Sequence, residues 1–463
     1  MLNDINGTLL RHLATGAGAA SLLRGKRPKI VDLTRRFFET RTDIRRLSSA
    51  QEVAQEILLI NDLTEFVQIR DIVAKQELRR QIQYVKQQDH TAHTVYLFFL
   101  GLWFYDSMPQ MATAVSIKCP HLNARQRDEY FLLQWTYASI LHDVGYAFHT
   151  LNSETQEDRE LIDGIYTWEW VKREGGELSE TAEDALKKAF EEWNTTYGQR
   201  MPLGTATYDA DRCADLLERL SHAPWLSDLD GSFKEKDLFA VLDYDRTSLR
   251  DYAIEVAHDG YGGGGRGVDH AVASGLLLFQ YTTYWYWLMD HVRRHHSREV
   301  YDEVSHGYDY AVANIVSDFL PACRAVAFHN IQANTKVGTT IIPTLTLQNE
   351  PVTFLAILCD ELQRWDRYPA GATYLDTFRF YSALESGDIY LMCNGTRDNP
   401  TAAFVVRTRA GVETDMKLAK DIAATIATRL PGYSRQLPLN VLALEYTSEE
   451  VVANFQFKFL GWS

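Results

Sequence analysis

Histidine and aspartate side chains stand at the ends of strongly apolar helical segments at several points of the 463-residue chain. QDHTAHTVYLFFLGL carries His90 and His93 one helical turn apart, and the later segment SILHDVGY carries adjacent His142 and Asp143. Each segment would bring an ionisable side chain into the core, which is costly unless a partner neutralises it. A divalent metal ion satisfies imidazole and carboxylate together. The pattern therefore predicts a helical core built around a metal site.

Three further apolar segments have the same character. GVDHAVASGLLLFQY carries His270, DFLPACRAVAFHN carries His329, and PVTFLAILCDELQRWDR carries Asp360. In each one the polar residue interrupts or ends an apolar stripe, and a buried polar group needs a hydrogen bond or a bond to a metal. We therefore expect these helices to converge on one centre.

Together these segments resemble the HD superfamily of metal-dependent phosphohydrolases, over residues 86–370. The family order of ligands is His, His-Asp and a distant Asp, which here are His93, His142, Asp143 and Asp360. The additional His270 and His329 are similar to the ligands of the subset with binuclear centres, such as the HD-GYP phosphodiesterases. The resemblance thus implies six metal ligands and two divalent ions bridged by Asp143. LHDVGY lacks the lysine and the GYP tripeptide of HD-GYP proteins, so specificity for cyclic dinucleotides is not implied.

The activity implied by the resemblance is hydrolysis of a nucleotide or other small phosphoester by a metal-activated hydroxide. Asp143 and His90 are the candidate catalytic residues, because His90 corresponds to the proton donor of cyclic-nucleotide phosphodiesterases. Those enzymes place the donor four residues before the metal-binding histidine, whereas this chain places it three before, and both spacings keep the pair on one helix face. Arg266 in GYGGGGRG, and Arg364 and Arg367 further along, are candidate substrate clamps because a guanidinium pairs with two phosphate oxygens. Mixed nitrogen and oxygen ligands favour manganese, iron, nickel, cobalt or zinc over magnesium.

Other interpretations of these residues stay open at this stage. His270 and His329 are also explained as hydrogen-bonded core histidines, and His90 as a helix-start residue beside Asp89. The arginines are also explained as surface ion-pair partners. At the level of function, the alternatives are a metal-dependent nuclease and a non-catalytic metal-binding sensor or scaffold.

Charge and cysteine content limit the partners that we expect. The net charge of −15 argues against binding of long nucleic acid, whereas a nucleotide in a metal-containing pocket remains compatible. The most basic region, residues 11–46, would suit an anionic ligand or a neighbouring subunit of a homo-oligomer. Five scattered cysteines, no signal peptide and no apolar run of membrane-spanning length predict a cytoplasmic protein without a membrane partner.

The predicted fold class is mainly α, with a small C-terminal α+β domain. Residues 1–85 read as an N-terminal helical region, and residues 86–370 as the HD-type helical core with an inserted helical subdomain at 150–245. Residues 371–463 predict a ββαββ order, from DIYLMCN and TAAFVVRTR through a helix to PLNVLALEY and ANFQFKFL. A second His-Asp pair, His258 and Asp259, lies against the glycine run and is expected in a loop.

Overall fold

The fold is described from a computed structural model of the chain. The described residues are 4–40, 43–61, 66–67, 69–71, 74–75, 90–147, 164–198, 217–229, 233, 237–244, 248–259, 269–331, 336–337, 340–341, 344–363, 389–396, 399–406 and 412–443. These residues are mainly helical, which confirms the coarse fold class.

Four helices lie among the described residues between 4 and 61, and they pack against one another and against the helix that begins at His90. They are α1 (Ile5–Thr15), α2 (Ala19–Lys26), α3 (Ile30–Glu39) and α4 (Asp43–Leu58). The start of α2 is fixed by Asp106, whose carboxylate accepts hydrogen bonds from the amides of Ala19 and Ala20 at 2.9 and 3.0 Å. Part of the basic region is turned inward, since Arg24 donates to the carbonyl oxygens of Leu13 and Gly16.

Three helices follow, two of which lead directly to the predicted ligands. They are α5 (His90–Ser107), α6 (Pro109–Lys118) and α7 (Ala124–Ile140). α5 is buried on every side from Thr91 to Tyr105, which is the behaviour expected of a helix that is apolar all round. α7 starts with a capping box between Asn123 and Gln126 and ends one residue before the His142-Asp143 pair and a 3₁₀ turn.

The described residues between 150 and 245 are largely helical. Residues 217–221 are helical, as are α8 (Trp168–Glu174), α9 (Glu180–Thr196), α10 (Leu226–Leu229) and α11 (Leu238–Leu242). α9 and α10 pack on the long helix that follows the glycine run. The helix α12 (Leu249–Asp259) then includes His258 and Asp259, so the expectation of a loop at that pair is wrong. The apolar residues that precede the pair continue the helical pattern through it.

The second half of the helical body contains the remaining predicted ligands. Its helices are α13 (His270–His295), α14 (Arg298–Val304), the short α15 (Val312–Asn314), α16 (Leu320–Phe328) and α17 (Pro351–Leu362), with a π-helical turn at Ile315–Phe319 before α16. α13 and α16 approach closely at Gly275, where an added Cβ would lie 2.5 Å from the Cβ of Ala327. Since His270 begins α13 and His329 ends α16, this close packing helps to bring the two imidazoles together.

The C-terminal residues form a small mixed sheet with one long helix. A two-residue hairpin of β1 (Lys336–Val337) and β2 (Thr340–Ile341) precedes it, and the sheet itself contains β3 (Ile389–Thr396), β4 (Asn399–Val406) and β5 (Leu439–Ala443). β3 and β4 are antiparallel, whereas β5 joins β4 in parallel after the helices α18 (Val412–Arg429) and α19 (Tyr433–Gln436). The order ββαβ agrees with the prediction as far as it is described, and the fourth predicted strand, ANFQFKFL, lies outside the described residues.

Within the part of the chain that the structure describes, every helix is too short or too polar to cross a membrane. The proposed division at residues 85 and 370 stays a prediction, since both positions fall outside the described residues.

Candidate metal centre

The ends of five helices meet at the predicted ligands. α5 supplies His90 and His93 from its first turn, the turn after α7 supplies His142 and Asp143, and α13 supplies His270. The end of α16 and the last turn of α17 supply the remaining two, His329 and Asp360. All six predicted metal ligands therefore lie together, as does His90.

Among the described residues, two groups of buried or largely buried side chains could hold a metal ion, and they share one carboxylate. We name them the inner group, His93, His142 and Asp143, and the outer group, Asp143, His270 and His329. The ligand atoms of each group lie within 4.8 Å of one another. Asp360 adjoins the inner group, because its Oδ1 lies 2.9 Å from Nε2 of His93.

Asp143 is the point where the histidines converge. Nε2 of His142, His270 and His329 lies 3.2, 3.6 and 3.9 Å from its Oδ1. Two ligands that each bond one ion at about 2.1 Å are separated by about 3.0 Å in octahedral and about 3.4 Å in tetrahedral geometry. The spacing around Asp143 is close to these separations, as is the 3.2 Å between Nε2 of His270 and Nε2 of His329.

The backbone fixes the protonation of two imidazoles. Nδ1 of His142 lies 2.7 Å from the carbonyl oxygen of Ser139, and Nδ1 of His329 lies 2.7 Å from that of Val326. A carbonyl oxygen only accepts, so each Nδ1 carries a proton and each ring directs its Nε2 towards Asp143. Nε2 of His142 is buried and has no hydrogen-bond partner among the described residues. Lone pairs that face a carboxylate in this way are satisfied by a cation, so the residues fit a metal ion.

Burial sets the charge of these groups. Burial lowers the pKa of His142 to about 3 and that of His270 to about 4, so both imidazoles are neutral near pH 7. Burial alone would raise the pKa of the Asp143 carboxyl, but the imidazoles of His142, His90 and His270 lower it well below its ordinary value. Neutral imidazoles around a carboxylate anion are the protonation states in which these side chains bind metals.

Gly145 explains how the chain turns from Asp143 towards α13. A Cβ at this position would lie 2.0 Å from the carbonyl oxygen of His270, so only glycine allows the approach. Its amide donates to Oγ of Ser274 at 2.6 Å. The glycine in HDVGY therefore serves the close contact that brings Asp143 and His270 together.

Three residues that the sequence analysis missed support the ligands. Oε1 of Gln363 lies 2.5 Å from Nδ1 of His93, on the side of the ring away from Asp360. The Tyr146 ring is stacked between the imidazoles of His90 and His270, with ring centroids 3.7 and 4.1 Å away. Gln363 lies one turn beyond Asp360, so helical spacing was a usable signal for it.

The third missed residue is Arg429, at the end of α18. It donates to the carbonyl oxygen of His329 at 3.2 Å and to Oδ1 of Asn330 at 3.0 Å, and it pairs with Oε1 of Glu361 at 2.9 Å. Asn330 in turn donates to Asp269 at 2.8 Å. Asp269, Asn330 and Glu361 each adjoin a predicted ligand in sequence, so Arg429 ties together the neighbours of three of them.

His90 contacts the centre through Asp143. Its Nδ1 lies 3.1 Å from Oδ2 of Asp143, and because a carboxylate only accepts, Nδ1 is the donor. The side chains of His90, His270 and Asp360 are 17%, 12% and 19% exposed, while those of His93, His142 and His329 are at most 2% exposed. The cluster therefore has a buried floor and one solvent-facing rim. The predicted clamps Arg266, Arg364 and Arg367 lie outside the described residues.

Protein-family profiles, curated proteins and solved structures were compared with the chain, and none of the three comparisons gives a match. The cluster of buried histidine and aspartate residues is thus the finding that bears on function. It belongs to a helical protein and is compatible with an HD-type fold.

Proposed function

We propose that the protein is a metal-dependent phosphohydrolase of the HD type, acting on a nucleotide or another small phosphoester. The observation that carries the proposal is the sharing of Asp143 by two buried groups of ligands. A carboxylate between two ion positions is the arrangement used by two-metal hydrolases. When bound, divalent ions would lower the pKa of water and neutralise the phosphoester oxygens.

The roles of the protein's own residues follow from their contacts. His93, His142 and His329 form the floor, where water is excluded and the rings are oriented from behind by Gln363 and two carbonyl oxygens. Since Nδ1 of His90 is committed to Asp143, Nε2 is the atom that would give a proton to the leaving oxygen. A substrate would approach from the rim, where the side chains of His90, His270 and Asp360 are partly exposed. Arg266, Arg364 and Arg367 remain our candidates for holding its phosphate.

A second candidate function is a metal sensor without turnover, and the Arg429 network favours it. Because Arg429 bonds the carbonyl oxygen of His329, the adjacent Asn330 and Glu361 beside Asp360, metal occupancy would alter the contacts of α18. A sensor of this kind needs tight metal binding and no open ligand position.

The test is a turnover screen on the full chain loaded in turn with manganese, iron, cobalt, nickel and zinc. The substrates are p-nitrophenyl phosphate, bis(p-nitrophenyl) phosphate, a set of nucleotides and a short single-stranded oligonucleotide. Metal-dependent hydrolysis of a small ester supports the proposal, and preferential cleavage of the oligonucleotide supports the nuclease alternative. Stoichiometric metal with no turnover of any substrate would overturn the phosphohydrolase and leave the sensor.

A further inference from the structure

A half-open cavity of about 420 Å³ lies away from the metal centre. It is formed by α7, the turn after α14 and the π-helical turn at Ile315–Phe319, and its walls include Gln126, Tyr130, Tyr308, Tyr310, Asp318 and Phe319. α7 and α16 each run from this cavity to the metal ligands. At 1.5 Å per residue, the helix between Tyr130 and His142 spans about 18 Å, so the two sites are separate.

Aromatic rings make up much of the cavity wall, and their orientation is fixed by contacts with one another. The hydroxyl groups of Tyr286 and Tyr308 are 3.0 Å apart, and the ring of Tyr310 packs edge-to-face on both, at 4.9 and 4.8 Å. On the opposite wall, the hydroxyl of Tyr130 donates to the carbonyl oxygen of Ser317 at 2.8 Å. The cavity is thus a preformed aromatic box of a volume typical for small-molecule sites.

Asp318 places a carboxylate in this box. It accepts hydrogen bonds from the hydroxyl of Tyr308 at 3.2 Å and from Oγ of Ser317 at 2.6 Å, but no described residue forms an ion pair with it. Burial raises the pKa of the Asp318 carboxyl, which shows that its charge is incompletely compensated. A partly buried anion without a counterion is a cost that a cationic ligand would remove.

Besides Asp318 and the tyrosines, the titratable groups on the cavity wall are Glu129, Lys26 and His306. Glu129 is a second carboxylate on the wall, and its ion pair with Arg125, at 3.4 Å, is solvent-exposed. Lys26 stands exposed at the mouth and forms no ion pair with the described residues. A surface lysine of this kind is solvated and compensates a buried carboxylate weakly.

The backbone around the cavity is also unusual. His306 has a φ of 50°, a conformation that residues other than glycine rarely adopt, and Gly307 follows with a φ of 76°. The hydroxyl of Ser305 is buried with no hydrogen-bond partner among the described residues, and a π-helical turn carries Asp318. Strained backbone and π-helical turns are found preferentially at functional sites, so these features agree with a binding site here.

We propose that this cavity binds a small organic cation, a protonated or quaternary amine, between the carboxylate of Asp318 and the faces of Tyr130, Tyr308 and Tyr310. Aromatic faces attract ammonium groups through the ring quadrupole, and the attraction grows when water is excluded. The carboxylate supplies the charge complement and the Tyr hydroxyl groups fix its position. The proposal does not depend on the activity of the metal centre.

The test is calorimetric titration of the full chain with tetramethylammonium, choline and phenyltrimethylammonium. Choline is paired with 3,3-dimethyl-1-butanol, a neutral molecule of nearly the same shape. We expect at least one cation to bind, and choline to bind at least about 10-fold more tightly than the neutral molecule. Absence of binding by all three cations at about 10 mM, or equal binding of choline and the alcohol, would overturn the proposal.

Variants locate the binding. Asp318→Asn keeps the size of the side chain and its bond to Tyr308, and should weaken cation binding at least about 10-fold without affecting the alcohol. Tyr310→Leu keeps an apolar wall but removes an aromatic ring, and should weaken cation binding about 3-fold or more. Asp309→Asn makes the same charge change at an exposed position outside the cavity wall and should leave binding unchanged. Circular dichroism checks that each variant folds, and full-strength binding by folded Asp318→Asn would place the cation elsewhere and refute the site.

Discussion

The inner and outer groups contain the same ligand types in different surroundings. The inner imidazoles of His93 and His142 are almost completely buried, and His93 is flanked by Gln363 and Asp360. The outer group includes the partly exposed His270, which stacks on Tyr146 beside His90. Burial strengthens electrostatic attraction to an ion and slows its exchange. We therefore expect an ion in the inner group to be held tightly and one in the outer group to exchange and meet substrate.

The largest effect should come from the residue that both groups share. Asp143→Ala should remove metal from both and lower turnover at least about 1,000-fold, about 4 kcal/mol of barrier. Elemental analysis and the turnover assay of the metal-loaded enzyme measure the two effects. Asp290→Ala is a matched control, since Asp290 is also a buried aspartate but pairs with Arg293 and Arg294 at the far end of α13. If Asp143→Ala retained either metal or turnover, the shared carboxylate would lose its proposed role.

Single-group variants should separate the two positions. His329→Ala should lower the metal content by about one ion per chain and spare the tightly held one, whereas His93→Ala should remove the tightly held one. Each substitution should lower the affinity for the affected ion by more than the 10- to 100-fold that residues supporting the ligands typically contribute. Competition with a chelator followed by elemental analysis measures both. If the two variants lost the same ions to the chelator, the inner and outer groups would form a single site.

The metal-free protein should lose stability in acid. The pKa of His142 is lowered to about 3 and that of His270 to about 4, against about 6.5 in the unfolded chain, so below pH 6.5 the unfolded state binds more protons. Each imidazole should then lower the free energy of unfolding by about 2 kcal/mol at pH 5 relative to pH 7. The loss from His270 should stop near pH 4, while that from the inner His142 continues to about pH 3.

Denaturant unfolding of chelated protein at pH 7 and pH 5 measures this loss, and His142→Gln should reduce the difference by about 2 kcal/mol. His121→Gln, at an exposed histidine, is the control and should keep the full difference. Stability that is flat between pH 7 and pH 5 would contradict neutral, buried imidazoles.

The smallest effect should come from Tyr146, whose ring stacks on the two rim histidines His90 and His270. Tyr146→Leu should weaken the outer ion or lower turnover about 3- to 10-fold, because an aromatic contact contributes about 0.5–1.5 kcal/mol. Tyr146→Phe keeps the ring and should behave like the wild type. Titration of metal into the two variants measures the affinity, and a change in the inner ion instead would reverse the assignment of Tyr146 to the outer group.

Much of the centre was predictable because the local sequence around its residues indicates them. A histidine or aspartate at the end of an apolar helix is costly to bury, and the buried His93 and His142 lie together in the cluster that this cost predicted. Helical periodicity likewise predicted the mainly α fold that the described residues show. The His258-Asp259 pair shows the limit of a motif, because a dipeptide does not reveal where its helix ends.

The parts that were missed depend on tertiary contact. Arg429 lies on an amphipathic helix like many others, and nothing near it in the sequence indicates that it reaches His329. Tyr146 sits between two imidazoles only because Gly145 lets the turn after α7 press against α13. Such pairings are decided by packing between elements distant in sequence, which periodicity does not encode.

Arg429 also connects the candidate metal centre to the end of α18. Anything that pulls the end of α18 away would break the ion pair between Arg429 and the buried carboxylate of Glu361, at a cost of about 1–3 kcal/mol, and would break the hydrogen bond to the backbone at His329. Thermodynamic linkage makes the effect reciprocal, so a molecule that docks on the small C-terminal sheet would change metal affinity by the same factor by which the metal changes docking. The absorption spectrum of cobalt bound among these histidines would therefore report the docking of a molecule on the C-terminal sheet.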